Sequence, residues 1–339
     1  MTTPFEALDE AARTAHLRDV AARALPAWGL PADTPLTLLN ISENATWRVD
    51  VAGEPAPRIL RVHRTGYHST AGVASELAWT QALQAEAGIP TPQAMAATDG
   101  SLIQCVATPA LDEDRMVVMF EFIPGAEPDA AALAAPFRRL GAVAARMHEH
   151  ARGWQPPPWF ERLTWDYTHS LGEAGNWGRW QDGLGVDAEA RAVLGEMDAI
   201  IRERLARFGQ GPERYGLIHA DLRLANLLES DGETRVIDFD DAGFGWYLYD
   251  LATALSFMED RADVPELVAS WVAGYRDVRA LPAEDEAEIP TFLMLRRLTI
   301  LAWIGSHAET DLARELGLPY TRTSVALARR YIARFGPAS

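Results

Sequence analysis

The chain has 339 residues, 48% of them hydrophobic, which is enough to bury a large core and to build two lobes or domains. Its 31 basic against 48 acidic residues give a formal charge of −17, which argues against nucleic acid or an anionic membrane surface as the main partner. The one cysteine, Cys105, excludes an internal disulfide and a thiolate metal cluster, and it fits a reducing cytoplasm.

Residues 1–6 carry no basic stretch followed by an apolar run, so no secretory signal is expected. An amphipathic helix is predicted over 8–28 and a loop over 31–37. Three short runs rich in β-formers follow, at 36–39, 46–51 and 58–63. Between the first two lies Ile41-Ser42-Glu43-Asn44-Ala45-Thr46. The side chains of Ser42 and Asn44, with exposed backbone amides, can cover the phosphates of a nucleotide; an ordinary polar turn is the plainer reading. In Ile59-Leu60-Arg61-Val62-His63, strand alternation sets Arg61 on the face opposite Leu60 and Val62. A helix is predicted over 69–87, with Ser69 or Thr70 as N-cap and Gly88 and Pro90 as the stop. Glu76 lies one turn from Val73 and Thr80 and so borders the apolar face of this helix. A cation for nucleotide phosphates needs a carboxylate to aim it, and Arg61 with Glu76 fits that need; two exposed, independent charges are the alternative.

A hairpin is expected around Asp99-Gly100, then an apolar strand over 116–122. Ile123-Pro124-Gly125 breaks the strand pattern, and helical sequence dominates beyond it. This gives two domains, 1–123 and 124–339. A core helix over 137–150 presents Phe137, Leu140, Val143, Ala144 and Met147 on one face. It closes with His148 and His150, which point different ways and make no metal site. Five of the eleven tryptophans, Trp154, Trp159, Trp165, Trp177 and Trp180, fall in the next stretch, 154–180, whose start is stiffened by a triple proline. They are read as anchors of a long insert; an aromatic wall for a cationic substrate is the alternative. Helix continues over 187–208. The late apolar run 293–304 is interrupted by Arg296 and Arg297 and is too short to span a bilayer, so no transmembrane helix is expected.

The most informative stretch is Ile218-His219-Ala220-Asp221-Leu222-Arg223-Leu224-Ala225-Asn226-Leu227-Leu228, followed by Arg235-Val236-Ile237-Asp238-Phe239-Asp240-Asp241. Its spacing, H-x-D-x-x-x-x-N, is that by which kinase chemistry sets an acid to accept a hydroxyl proton and a carboxamide to hold a metal ion. The polar turn at 229–233 makes strand, Asp-Gly turn and strand, a hairpin that brings Asn226 and Asp238 together. Magnesium on Asn226 and Asp238 beside a base at Asp221 is a sufficient kit for phosphoryl transfer. Taken singly, Asp221 also reads as a turn residue, Asn226 as a cap and Asp238 as a strand end. Arg223 can reach the transferring phosphoryl group or pair with a nearby acid. Neither G-x-x-x-x-G-K-[ST] nor G-x-G-x-x-G occurs, which sets aside a P-loop and a Rossmann site.

These motifs, in this order, resemble the kinase-like phosphotransferases: aminoglycoside phosphotransferases, choline and homoserine kinases, and the bacterial stress-response kinases. The resemblance implies an α+β, protein-kinase-like bilobal fold, with an antiparallel sheet and helix in the first lobe and a larger, mainly helical second lobe. It implies Asp221 as catalytic base, Asn226 and Asp238 as magnesium ligands, and His219, with Asp240 and Asp250, as structural support. ATP is the implied cofactor with Mg²⁺, its adenine bonded to backbone near Glu121 and Ile123. Arg61 stands where the family carries its phosphate-binding lysine, and arginine grips phosphate with a different geometry. The implied acceptor is a hydroxyl of a small molecule, with a cationic one favoured by the acidic balance. Ser42-Glu43-Asn44, Arg146-Met147-His148, and Trp165-Asp166 followed by Trp177-Gly178 are similar to the stress-response branch, which makes a protein Ser or Thr the alternative acceptor. A nucleotide-binding pseudokinase, supported by Arg61, is another. A phosphohydrolase using His219, Asp221, Asp238, Asp240 and Asp241 lacks the further His and Asp cluster that a two-metal site needs.

Overall fold

The computed structural model describes residues 5–41, 43–108, 113–308 and 310–336. They fall into two units, Met1–Pro124 with Pro156–Glu161, and Gly125–Gln155 with Arg162–Ser339.

In the first unit, the Asp9 carboxylate accepts a hydrogen bond from Ala12 N at 2.8 Å and so caps helix α1, Glu10–Ala24. Strands β1 (Leu36–Ile41), β2 (Ala45–Val49) and β3 (Arg58–Val62) lead to α2 (Thr70–Ala87), then β4 (Gln104–Thr108) and β5 (Glu113–Glu121). The five strands form one antiparallel sheet in the order β1-β2-β3-β5-β4. The order of three strands, one helix and two strands is the expected one. Ser69 is the N-cap of α2, its Oγ accepting from Gly72 N at 3.0 Å, and Gly88 ends the helix at φ 62°. Alternation along the strands puts Trp47, Leu60, Val62 and Met119 against Leu17, Val20 and Ala21 of α1, while Val118 and Phe120 meet Val73 and Leu77 of α2.

One expectation is corrected. Asp99-Gly100 is a turn, with Gly100 at φ 85°, but it does not join two paired strands. The strand partners are β4 and β5, antiparallel and in register from Gln104↔Val117 to Thr108↔Glu113. An Asp-Gly pair supplies the backbone of a tight turn, but the segment before it bonds to β5 instead of to β4, with Met95 N donating to Met119 O at 2.8 Å.

The second unit contains α3 (Ala134–Gly153), β6 (Leu163–Trp165), α4 (Tyr167–Ser170), α5 (Ala188–Phe208), β7 (Tyr215–Ile218), β8 (Leu227–Ser230), β9 (Glu233–Val236), β10 (Gly243–Trp246), α6 (Tyr247–Ala254), α7 (Val264–Arg276), α8 (Ala283–Glu286), α9 (Ile289–Ser306) and α10 (Asp311–Phe335). Two small sheets lie among the helices, β6-β10-β7 and the hairpin β8-β9. Helices α3 and α7 touch backbone to backbone at two glycines. A Cβ on Gly141 would stand 2.1 Å from the Trp271 carbonyl oxygen, and one on Gly274 would stand 1.8 Å from that of Arg138. Helix α9 is apolar around most of its circumference and buried along most of its length, which makes it the axis of this unit. Trp165, Trp177 and Trp180 are buried here as anchors, with the indole Nε1 of Trp180 donating to Asp198 Oδ2 at 3.0 Å. Among the described residues, no helix is long and apolar enough to cross a membrane.

Candidate active site

The catalytic segment leaves β7 at Ile218 and turns sharply, with Ala220 in the left-handed region at φ 65°. A non-glycine residue there is strained and persists only where its surroundings over-determine it. Asp250, in the first turn of α6, supplies that support. Its Oδ1 accepts from Ala220 N at 2.7 Å and its Oδ2 from His219 N at 3.2 Å. Thr253, one turn on, accepts from Leu222 N at 2.9 Å. Asp250 does not cap its helix: that position is Trp246. It is held in turn by His148 Nε2 at 2.9 Å, whose Nδ1 lies 3.0 Å from the Tyr275 hydroxyl. Tyr275 accepts from Arg279 at 2.7 Å, so its own proton goes to Nδ1 and the imidazole gives its Nε2 proton to Asp250. Burial holds His148 below the usual histidine range despite the neighbouring Asp250, so the ring is neutral.

His219 ties the segment to the next one. Its Nδ1 accepts from Asp221 N, its Nε2 donates to Ile237 O, each at 3.2 Å, and its ring packs on Phe239 with centroids 4.5 Å apart. It too is kept neutral by burial. The hairpin β8-β9 turns at Asp231-Gly232, φ 55° and 78°, and pairs Leu227 with Val236, while Ile237 N donates to Asn226 O at 3.0 Å. Asn226 and Asp238 therefore flank the open end of one hairpin, as the spacing predicts. Asp238, like Ala220, sits in the left-handed region, at φ 62°. The backbone beyond it is gripped by Arg162, which donates to Phe239 O at 3.0 Å and to the carbonyls of Asp240 and Ala242, and by the Trp165 indole, which donates to Asp241 O at 2.8 Å.

Asp221 carries donors on both carboxylate oxygens. Oδ2 accepts from Asn226 Nδ2 at 2.8 Å and Arg223 Nε at 3.1 Å; Oδ1 accepts from Arg296 at 2.7 Å. Burial would raise the Asp221 carboxyl, but the Arg223 and Arg296 guanidiniums outweigh it and hold the group below the usual carboxylate range. Arg223 pairs with this acid and lies in the field of Asp238 as well. Asn226 Nδ2 also donates to Asp221 O at 2.9 Å. With two oxygens as acceptors the amide can only be oriented this way, which leaves Oδ1 for another partner. A carboxamide oxygen and a carboxylate are oxygen donors of the kind that suits a hard divalent cation such as Mg²⁺.

In the first unit, Arg61 and Glu76 form a buried ion pair, and the guanidinium lies 4.9 Å from the centre of the Phe120 ring. The alternative of two exposed charges is thus set aside. Arg61 faces away from Leu60 and Val62 as alternation requires, and its face is covered as well. Asn44 Oδ1 accepts from Arg64 N at 2.9 Å. Glu121 pairs with Arg58 in the sheet and its N–H donates to Gln93 O at 2.9 Å; Ile123, two residues beyond the end of the sheet pairing, is half-buried. Ser42 lies outside the described residues.

Sequence reasoning passed over Arg162, His148, Thr253 and Arg296. Only Arg296 had a signal: two adjacent arginines in an otherwise apolar helix must find partners inside the protein.

A sheet with a paired helix, and an acid, a carboxamide and a second acid gathered around one hairpin, are the parts of a phosphotransferase of kinase type acting on an alcohol. The chain belongs to the APH phosphotransferase enzyme family, whose model matches residues 37–287. A solved microcompartment-associated aminopropanol kinase is 44% identical, superposes with a TM-score of 0.87, and is matched over 94% of this chain and 98% of its own. The amicoumacin kinase of Bacillus subtilis (strain 168) is 24% identical over 88% of this chain and 87% of its own. A structure of amicoumacin kinase in complex with AMP-PNP, Ca²⁺ and Ami shares the fold at a TM-score of 0.70 and 22% identity, over 88% of each chain.

Proposed function

We propose that the protein transfers the γ-phosphoryl group of Mg-ATP to the hydroxyl of a small amino alcohol. Asp221 receives the acceptor hydroxyl, Asn226 and Asp238 hold the magnesium ion, and Arg61, aimed by Glu76, meets the nucleotide phosphates. The observation that carries this reading is the state of Asp221: an ionised carboxylate bound to Asn226, with a cation on each oxygen. Phosphoryl transfer asks chiefly for placement and charge compensation, and this arrangement supplies both. The amino alcohol is favoured by the likeness to the aminopropanol kinase, which extends over nearly the whole of both chains. The nucleotide and divalent ion are favoured by the ligands of the amicoumacin kinase structure.

The test is ADP release with Mg-ATP and 1-amino-2-propanol, ethanolamine, homoserine and an aminoglycoside as acceptors. Turnover is expected with the first two, and Asp221→Asn is expected to lower it roughly 100- to 10,000-fold while ATP still binds. Asp238→Ala is expected to weaken Mg-ATP binding. Equal turnover in Asp221→Asn would remove the acid from the chemistry, and an unchanged nucleotide affinity in Asp238→Ala would remove that residue from the metal.

A further inference from the structure

Helix α9 brings two arginines into the interior, and they differ in what they meet. Arg297 has an acid of its own: it pairs with Glu259 at 2.7 Å and also donates to Ser324 Oγ at 2.8 Å and to the Tyr320 carbonyl at 3.1 Å. It fastens α9 to α10. Arg296 meets Asp221. Its guanidinium is almost fully buried, 2% exposed, with Nε donating to Ser256 Oγ at 3.0 Å and Nη2 to Asp221 Oδ1 at 2.7 Å. The Tyr249 hydroxyl is 3.5 Å from Nη1, and the Trp177 ring centre is 5.1 Å from the guanidinium carbon.

A buried cation is costly to desolvate, and where only packing is wanted an apolar side chain of similar volume serves as well or better. Arg296 does one thing such a residue cannot do. Oδ2 of Asp221 already has Asn226 and Arg223; with that oxygen alone held, the carboxylate stays free to rock about its last torsion. The bond from Arg296 to Oδ1 closes that freedom from a different element. The carboxylate plane is then set by three donors, and the lone pairs left over point in one fixed direction.

We propose that Arg296 is a positioning residue for the transfer: by holding Oδ1 of Asp221 it aims the carboxylate at the acceptor hydroxyl, and so directs the phosphoryl group to the alcohol rather than to water. This rests on the reading of Asp221 given above. In the step itself the hydroxyl oxygen bonds to the γ-phosphorus, its proton passes to Asp221, and the bond from phosphorus to the β-γ bridging oxygen breaks, ADP leaving with that electron pair. An alcohol displaced from this line loses the reaction, since a misplacement of about 1 Å costs on the order of 100-fold.

The experiment measures phosphorylated 1-amino-2-propanol and ADP separately, in wild type, Arg296→Met, Arg296→Lys and Ser256→Ala, with melting temperature and ATP affinity for each. In Arg296→Met, kcat for transfer is expected to fall about 30- to 100-fold, ATP affinity to stay near wild type, and ADP released per product to rise. Arg296→Lys restores a charged donor and is expected to recover part of the rate. Ser256→Ala loosens the guanidinium without touching Asp221 and is expected to show a smaller loss of the same kind. A double-mutant cycle with Asp221→Asn completes the set: once the carboxylate is gone, removing Arg296 is expected to cost little more. A folded Arg296→Met with wild-type kcat and product ratio overturns the proposal. So does a loss confined to melting temperature and ATP affinity with no recovery in Arg296→Lys, or additivity in the cycle. A wild type that phosphorylates none of the alcohols overturns the acceptor reading instead. The cycle is then run on ADP release to water, where Arg296 and Asp221 still have to be coupled.

Discussion

That Asp221, Asn226 and Asp238 come near one another was legible in the sequence because they stand within one hairpin of each other. The residues that hold them there were not, because their partners are remote: His148 is 102 positions from Asp250, Arg162 is 80 from Ala242, and Arg296 is 75 from Asp221. A histidine at the end of an amphipathic helix gives no sign of such a contact, and the reading of His148 as a helix-closing residue missed its bond to Asp250, which in turn holds the backbone of His219 and Ala220. That bond has a consequence in acid. Burial lowers the His148 pKa in the folded protein, against the pull of Asp250 and Glu149 and with the help of Arg279. In the unfolded chain the ring takes a proton near its ordinary value of about 6.5. Between the lowered and the ordinary value the unfolded state binds more protons, so stability is fully present above about 6.5 and is lost as the pH falls. His219 is lowered by burial in the same sense and adds to the effect. Urea midpoints taken at about pH 7.5 and about 5.5 are expected to drop in acid, and the drop is expected to shrink in His148→Gln. An equal drop in that variant would place the acid sensitivity elsewhere.

Elements were the easiest scale to read. Both caps of α2, the Asp-Gly hairpin of β8 and β9, and the run of helices beyond Pro124 follow from local chemistry that needs no partner. How the elements meet was not readable. Nothing in the sequence around Gly141 or Gly274 shows that two helices cross there, since an isolated glycine in a helix reads only as a weak point. The crossing of α3 and α7 needs both. An added methyl at Gly274 would lie 1.8 Å from a backbone oxygen, which cannot move without its helix. Gly274→Ala is therefore expected to destabilise by at least about 1–3 kcal/mol, the ordinary cost of overpacking. Gly153→Ala, at the end of α3 with nothing within 4 Å of the new Cβ, is the control and is expected to be near neutral. Urea melts of the pair decide it: equal midpoints would mean that the crossing relaxes at little cost.

At the scale of the whole molecule, the formal charge of −17 was the first thing the sequence offered and the least specific. It bears on the acceptor in a way that the site does not. Beside Asp221 the nearest fixed charges are cationic, Arg223 and Arg296, so an ammonium on the substrate gains nothing from that contact. The summed field of the protein is then a source of preference for a cation that does not depend on that contact, and such a field is screened over a Debye length of about 10 Å at 0.1 M salt. The KM for 1-amino-2-propanol is accordingly expected to rise several-fold between about 0.02 and 0.5 M NaCl. A neutral diol of the same skeleton should hold its KM over that range. Were the two acceptors to respond alike, the amine would be recognised by contact rather than by field, and the search would turn to the acids and aromatic rings around Trp177 and Tyr249.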